Sequence, residues 1–378
     1  MRPQSLGVAA CALIAVGSFG AGATRYRGGL LRAAGLEHLS YGHGRALMDV
    51  LLTAGIFGLV LAWVLLWKTR PGLAQVRRSV CWWAGILAVS APILSRDVYS
   101  YLMQGAMLRD GFDPYSEGAA VNPGPYLWEV SHDWRNTTTP YGPLHLGMGK
   151  AVTWLVGENV TLGLVVYRLI SLAGFALIMW ALPRIAKQIG GDPALALWLG
   201  AANPVMLLHL IGGMHNEAVM VGLVSVGLLW CLRSRWCTPG IALIALAVSL
   251  KATAAVALPF VVWLMVKRRS ATTLGAAGML VACGAWALAV NVAVIQLVTW
   301  ASGTTWGWLE EITGNSKVIN PLAGPTLAAE LITPVLQLVD DTFRYNTALT
   351  WTRTIFSALM LVGLAVVWWI FCPRRGED

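Results

Sequence analysis

Long apolar runs separated by short polar segments dominate the chain. A membrane-spanning helix needs roughly 20 apolar residues. Runs of about that length occupy 6–23, 48–67, 79–95, 161–182, 193–211, 216–232, 273–298 and 353–371. The polar segments sort by charge. "KTRPGLAQVRRS", "PRIAKQIGGD", "RSRWC", "VKRRS" and the tail "CPRRGED" carry most of the lysine and arginine. With these on the cytoplasmic side, as the positive-inside rule requires, the spans alternate and both termini are cytoplasmic. The first run follows a single arginine, as a signal peptide would. No cleavage site with polar sequence comes after it, so it reads as a retained span.

One interval resists this alternation. Between "RSRWC" and "VKRRS", both cytoplasmic by charge, the apolar stretch 238–265 is long for one span and short for two. A re-entrant broken hairpin resolves the conflict, with "GIALIALAVSL" entering, "ATAAVALPFVVWL" returning and Lys251 at the bend. Such backbone is tolerated at membrane depth only where it lines protein or a wet cavity. The alternative is one long tilted helix that puts "VKRRS" outside. The predicted fold is an all-α polytopic membrane protein. It has about eight full spans plus the hairpin, in a single transmembrane domain over 1–378. Two long segments fall outside, 96–150 and 299–350. Both are rich in proline, glycine, tryptophan and tyrosine, and they are expected to form packed loops with short helices at the membrane surface. No internal repeat supports an inverted-repeat transporter.

Composition agrees. Hydrophobic residues make up 57% of the chain and charged residues 12%, against about 45–50% and about 25% in soluble domains. Nineteen tryptophans suit aromatic belts at lipid headgroups. The net charge of +9 lies in the short basic loops, so membrane lipid rather than nucleic acid is the expected neighbour. Cys11, Cys81, Cys231, Cys237, Cys283 and Cys372 fall in apolar runs or basic loops. No disulfide framework is expected from them.

The candidate chemistry begins at "SRDVYSYLMQG", 95–105. Asp97 sits at the outer end of a span beside Arg96. Tyr99 and Tyr101 follow at even spacing, and Gln104 lies on about the same helical face. Aromatic faces with a carboxylate and an amide suit sugars, which offer apolar C–H faces and hydroxyls. A neutralised Arg96–Asp97 pair marking the interface is the structural alternative. "DGFDPY" and "WRNTTTPYGPL" read first as rigid turns.

In "GGMHNEAVMVG", Asn216 can cap the helix that follows and Glu217 suits its N-terminal dipole. His215 has no such role. The triplet can equally face a sugar hydroxyl or a phosphate. Lys251 costs about 2.5–3.5 kcal/mol to insert and is a functional candidate by default. It either meets the phosphate of a lipid carrier or snorkels to an interface. Arg168, inside a span, is open to an aspartate or a phosphate as its partner. No metal-ligand spacing, P-loop or dinucleotide fingerprint is present.

These stretches, with "YRLISLAGFALIMWALPRIA", "WLGAANPVMLLHLIGGMHNEAVMVGL" and "SLKATAAVALPF", resemble the polyprenol-phosphomannose-dependent α-(1→6)-mannopyranosyltransferases of actinobacteria. These are integral-membrane glycosyltransferases of the GT-C class. The resemblance covers about residues 80–265. It implies a polyprenyl-phosphate mannose donor, a mannan or lipomannan acceptor, and transfer at the outer face of the plasma membrane. An outward-facing aspartate is the catalytic carboxylate of that class, and Asp97 matches its position. The first outside loop, 24–47, lacks such a motif, and the family's His-Asn-Asp triplet stands here as His215, Asn216 and Glu217. A β-linked donor and an α-linked product imply inversion in one displacement, with Asp97 as base. Lys251, Arg168 and Arg96 would balance the phosphate, while Tyr99, Tyr101, Gln104, His215, Asn216 and Glu217 would position the substrates. No cofactor is required, and a divalent cation is left open. A transporter or flippase of polyprenyl-linked sugars would use similar features. It would place its ionisable groups near mid-span rather than at span ends.

Overall fold

The computed structural model describes residues 2–269, 273–314 and 323–370. It is 77% helical, with no strand among the described residues. Cys372 and the tail "CPRRGED", Ser270 of the "VKRRS" loop and 315–322 of the second outer segment lie outside them. The chain divides into two compact units, Met1–Glu311 and Ile312–Asp378.

Among the described residues, five helices are long and apolar enough to cross a membrane: Pro3–Ala21, Gly42–Lys68, Val160–Gln188, Gly275–Ser302 and Tyr345–Ile370. They correspond to five of the predicted spans. A sixth, 193–211, is a pair of helices, Pro193–Gly200 and Pro204–Gly212, bent by 50°. Pro204 cannot donate into the preceding turn, and Asn203 caps the second helix by accepting from the Val205 N–H. The remaining two predicted spans fall on helices of 15 and 17 residues, so among the described residues five of the predicted spans, or six with the bent pair, are supported by length and composition. The helix over 79–95 runs Leu73–Leu87 and stops at the Ser-Ala-Pro bend. That over 216–232 is a 17-residue helix, Glu217–Arg233.

The segment 238–269 folds as a broken helical hairpin. Helix Thr238–Val248 breaks at Ser249–Lys251, and Lys251 is extended with φ −153° and ψ 126°. A 3-10 turn, Ala252–Ala257, and helix Leu258–Arg269 bring the chain back. Near its end Arg268 donates to the carbonyls of Cys231 at 2.6 Å, Leu232 at 2.9 Å and Ser234 at 2.9 Å. The exit therefore lies beside the entrance.

Segment 96–150, predicted to lie outside, is largely helical. Asp97–Arg109 and Pro143–Val156 are helices of 13 and 14 residues, and the second runs past residue 150, where the predicted loop ends. They cross at glycines. A Cβ added to Gly105 would lie 2.1 Å from the Gly149 carbonyl carbon. Val160–Gln188 packs on Glu217–Arg233 in the same way, with Gly174 against the Ala218 backbone. Small residues let backbones approach where lipid supplies no hydrophobic drive.

In the second unit, helix Gly324–Gln337 packs on Tyr345–Ile370 around Ala329, Ala348 and Leu349. The longer helix leaves Leu359, Val362 and Trp369 exposed, as a lipid-facing span does.

Gly105→Ala forces the two helices of the outer segment apart. It is expected to cost about 1–3 kcal/mol, seen as a lowered unfolding midpoint of the detergent-solubilised protein.

Candidate active site

Four separate segments converge at one end of the first unit. Asp97 is the first residue of the Asp97–Arg109 helix, where a carboxylate is favoured by the helix dipole. Its side chain is one-third exposed, and Oδ2 lies 3.4 Å from His215 Nδ1. The same Nδ1 is 3.8 Å from Glu217 Oε2. Glu217 opens its own helix and accepts from Lys251 Nζ at 2.5 Å. Lys251 also lies over the Tyr141 ring, 5.4 Å from its centroid. The result is a row of carboxylate, imidazole, carboxylate and ammonium, partly open to solvent.

The hairpin reaches this row through a backbone joint. The Gly142 N–H donates to the Leu250 carbonyl at 3.1 Å, and the Leu144 N–H to the Ser249 carbonyl at 2.8 Å. A Cβ on Gly142 would lie 2.3 Å from the Ser249 oxygen, so the turn "PYGP" can seat only with glycine there. Pro143 starts the next helix at a position where no N–H is missed.

Beneath the row lies a buried polar layer. His145 is fully buried, with Nε2 3.2 Å from Gln104 Oε1 and Nδ1 3.1 Å from Asn216 Nδ2. The rings of Tyr101 and Tyr141 pack against it, at centroid distances of 4.7 and 4.4 Å. Burial, reinforced by the Lys251 charge, pushes the His145 pKa down to about 3. His209 approaches from the six-residue π-helical stretch Leu207–Gly212, its ring centroid 5.3 Å from that of His215. Single-turn π-helical insertions are frequent at functional sites.

Seven of the sequence candidates thus come together: Asp97, Tyr101, Gln104, His215, Asn216, Glu217 and Lys251. Three do not. Arg96 turns away from Asp97 and donates to the Thr24 carbonyl at 2.6 Å and the Glu129 carbonyl at 2.7 Å. Its guanidinium also stacks on Tyr26, 3.6 Å from the ring centroid. Glu129 is buried and pairs with Arg25 as well, so it supplies the charge that the neutralised Arg96–Asp97 pair would have drawn from Asp97. Tyr99 is buried and donates to the Ala23 carbonyl at 2.8 Å. Arg168 has no carboxylate partner among the described residues, although it lines a cavity. It donates to the carbonyls of Ile211, Gly212 and Ser90, which end the π-helical turn and the Ser-Ala-Pro bend. Lys251 is paired rather than free.

His145, His209 and the ring of Tyr141 were not legible as site residues. A lone histidine in an apolar stretch is the signal that would have found the first two, and it is weak on its own. Among the described residues, no group of three or more histidine, cysteine, aspartate or glutamate side chains is arranged to hold a metal ion.

The fold accommodates His145 only in its neutral form. The stability it contributes is whole above pH 6.5 and is lost as pH falls from there towards 3, because the unfolded chain takes up a proton that the folded site refuses. Unfolding followed across that window is expected to show a loss of at most roughly 1.4 kcal/mol per pH unit from this group. His145→Gln is expected to flatten that part of the profile.

The profile described as "Alpha-(1->6)-mannopyranosyltransferase, N-terminal domain" matches residues 4–267. The chain is 52% identical to α-(1→6)-mannopyranosyltransferase A of Corynebacterium glutamicum, over 97% of this chain and 79% of that protein. It is 40% identical to α-(1→6)-mannopyranosyltransferase A of Mycobacterium tuberculosis, over 99% of this chain and 73% of that protein. No solved structure matches. The matched span takes in every residue of the cluster, and the chain belongs to the α-(1→6)-mannopyranosyltransferase family.

Proposed function

We propose that the protein transfers mannose from a polyprenyl-phosphate mannose to a mannan or lipomannan acceptor, forming α-(1→6) linkages with inversion. Transfer takes place at the outer face of the plasma membrane. Segment 96–150 carries the base on that face and both termini are cytoplasmic, a topology in which the shorter helices Leu73–Leu87 and Glu217–Arg233 cross as well. The observation that carries the reading is the part-exposed Asp97 carboxylate at the end of the row with His215, Glu217 and Lys251. Membership of the family supplies the sugar and the linkage.

The chemistry is one displacement. Asp97 takes the proton of the acceptor's 6-hydroxyl as that oxygen bonds to C1 of the donor mannose, and the bond from C1 to the phosphate oxygen breaks on the opposite face. The electron pair leaves with the polyprenyl phosphate. Lys251 is the candidate to balance its charge by exchanging Glu217 for phosphate, since Arg96 and Arg168 are spent on backbone carbonyls. The scheme calls for no cofactor.

A lipid-linked donor is further supported by a cavity of about 500 Å³, within the range of roughly 300–1,000 Å³ usual for ligand sites. Leu30, Val89, Leu169 and Leu172 give it apolar walls, and Tyr99 and Met214 belong to its lining. Tyr99 is two residues from Asp97 and Met214 precedes His215, so an isoprenoid chain held there ends near the row.

Asp97→Asn is expected to lower mannose transfer from polyprenyl-phosphate mannose to a short α-(1→6)-mannoside by about 10²–10⁴-fold, at equal membrane abundance and donor binding. An equally active variant would show that another group is the base.

A further inference from the structure

The displacement makes no use of His145, although the residue is fully buried and hydrogen-bonded through both ring nitrogens. An amide oxygen only accepts and an amide nitrogen only donates, while a neutral imidazole has one N–H and one lone pair. With Gln104 Oε1 as acceptor, His145 Nε2 holds the hydrogen, and Nδ1 accepts from the Asn216 amide. The Asn216 carboxamide can then face only one way. Its Oδ1 is left buried and without a partner, on a residue 4% exposed that sits between His215 and Glu217. A buried carbonyl oxygen in that state is uncommon and calls for a ligand group to complete it.

We propose that His145 is a positioning residue, holding the Asn216 carboxamide so that its Oδ1 accepts a hydrogen bond from a hydroxyl of a bound pyranose. The inference rests on the transferase reading above. Tyr101 and Tyr141 fix the plane of the imidazole from two sides, and Gln104 sets which nitrogen carries the hydrogen. The direction of the whole chain, from Gln104 through His145 to Asn216, thus determines which atom the sugar meets.

The test is Asn216→Asp, assayed for mannose transfer in membranes between pH 5.5 and 8. A carboxylate at 216 sets oxygen against the His145 lone pair, whereas a proton taken up between the two side chains restores the bond. The surrounding titratable groups are Asp97, Tyr101, Tyr141, His215, Glu217 and Lys251. Both proteins share them, so the readout is the ratio of variant to wild type. That ratio is expected to be down about tenfold or more at pH 8 and to rise as pH falls. In the double variant Asn216→Asp with His145→Gln, the introduced amide donates to the carboxylate at every pH, and the ratio is expected to be flat.

A flat ratio in the single variant overturns the proposal, since the chain would then run the other way. Recovery in acid that persists in the double variant overturns it too, because it would come from the new carboxylate alone. Should the Asn216 variants fail to accumulate, Gln104→Glu and Gln104→Leu decide. Glutamate preserves the acceptor for Nε2–H and is expected to retain at least about fivefold more transfer than leucine, and equal losses refute the relay. Wild type inactive on this donor and acceptor would refute the transferase reading itself, and the inference with it.

Discussion

The site depends on a backbone joint between two pieces of irregular chain. Where the hairpin breaks at Ser249–Lys251, the carbonyls of Ser249 and Leu250 lose their place in a helix. The Gly142 and Leu144 N–H groups bind them. Buried backbone groups must be paired inside protein at that depth, so the break and the "PYGP" turn satisfy each other. Lys251 emerges from one side of the joint, and Tyr141 and His145 from the other. Without the close approach at Gly142, none of these three would meet the Asp97–His215–Glu217 group.

The cations divide by chemistry as much as by position. Arg96, Arg168 and Arg268 each reach two or more backbone carbonyls that mark a helix end or a loop crossing. Five donors in a planar fork suit that task. Lys251, with one compact charge on a flexible stem, stands in the cluster and can change partners. Charge counting along the chain treats the four residues alike, and only their partners separate them.

The polar groups also divide by depth. Asp97, His215, Glu217 and Lys251 keep part of their surface open, whereas His145 and Asn216 are buried beneath, with the half-buried Gln104 bonded to them. A buried neutral layer under a charged, accessible row holds geometry without titrating alongside it. Tyr101 belongs to that lower layer, although its spacing from Asp97 alone gave it the same standing as Tyr99.

Much was determined by the sequence itself. Long apolar runs with basic loops establish a polytopic helical protein, because a chain in lipid has few other ways to pair its backbone. The conflict of charge and length over 238–265 led to the hairpin and to Lys251 at its bend. The "SRDVYSY" and "GGMHNEA" stretches marked Asp97, His215, Asn216 and Glu217, since carboxylates and histidine at apolar span ends lack a packing reason. Tertiary structure alone decided the rest. It ended the helix over 79–95 at Leu87, ahead of Pro92, where hydropathy would continue it. It withdrew Arg96, Tyr99 and Arg168, whose partners lie 33 to 78 positions away along the chain, and it brought in His145 from 41 positions beyond Gln104. Hydrogen bonds between segments so far apart leave no periodic trace in either segment, and only the folded backbone brings their atoms within reach.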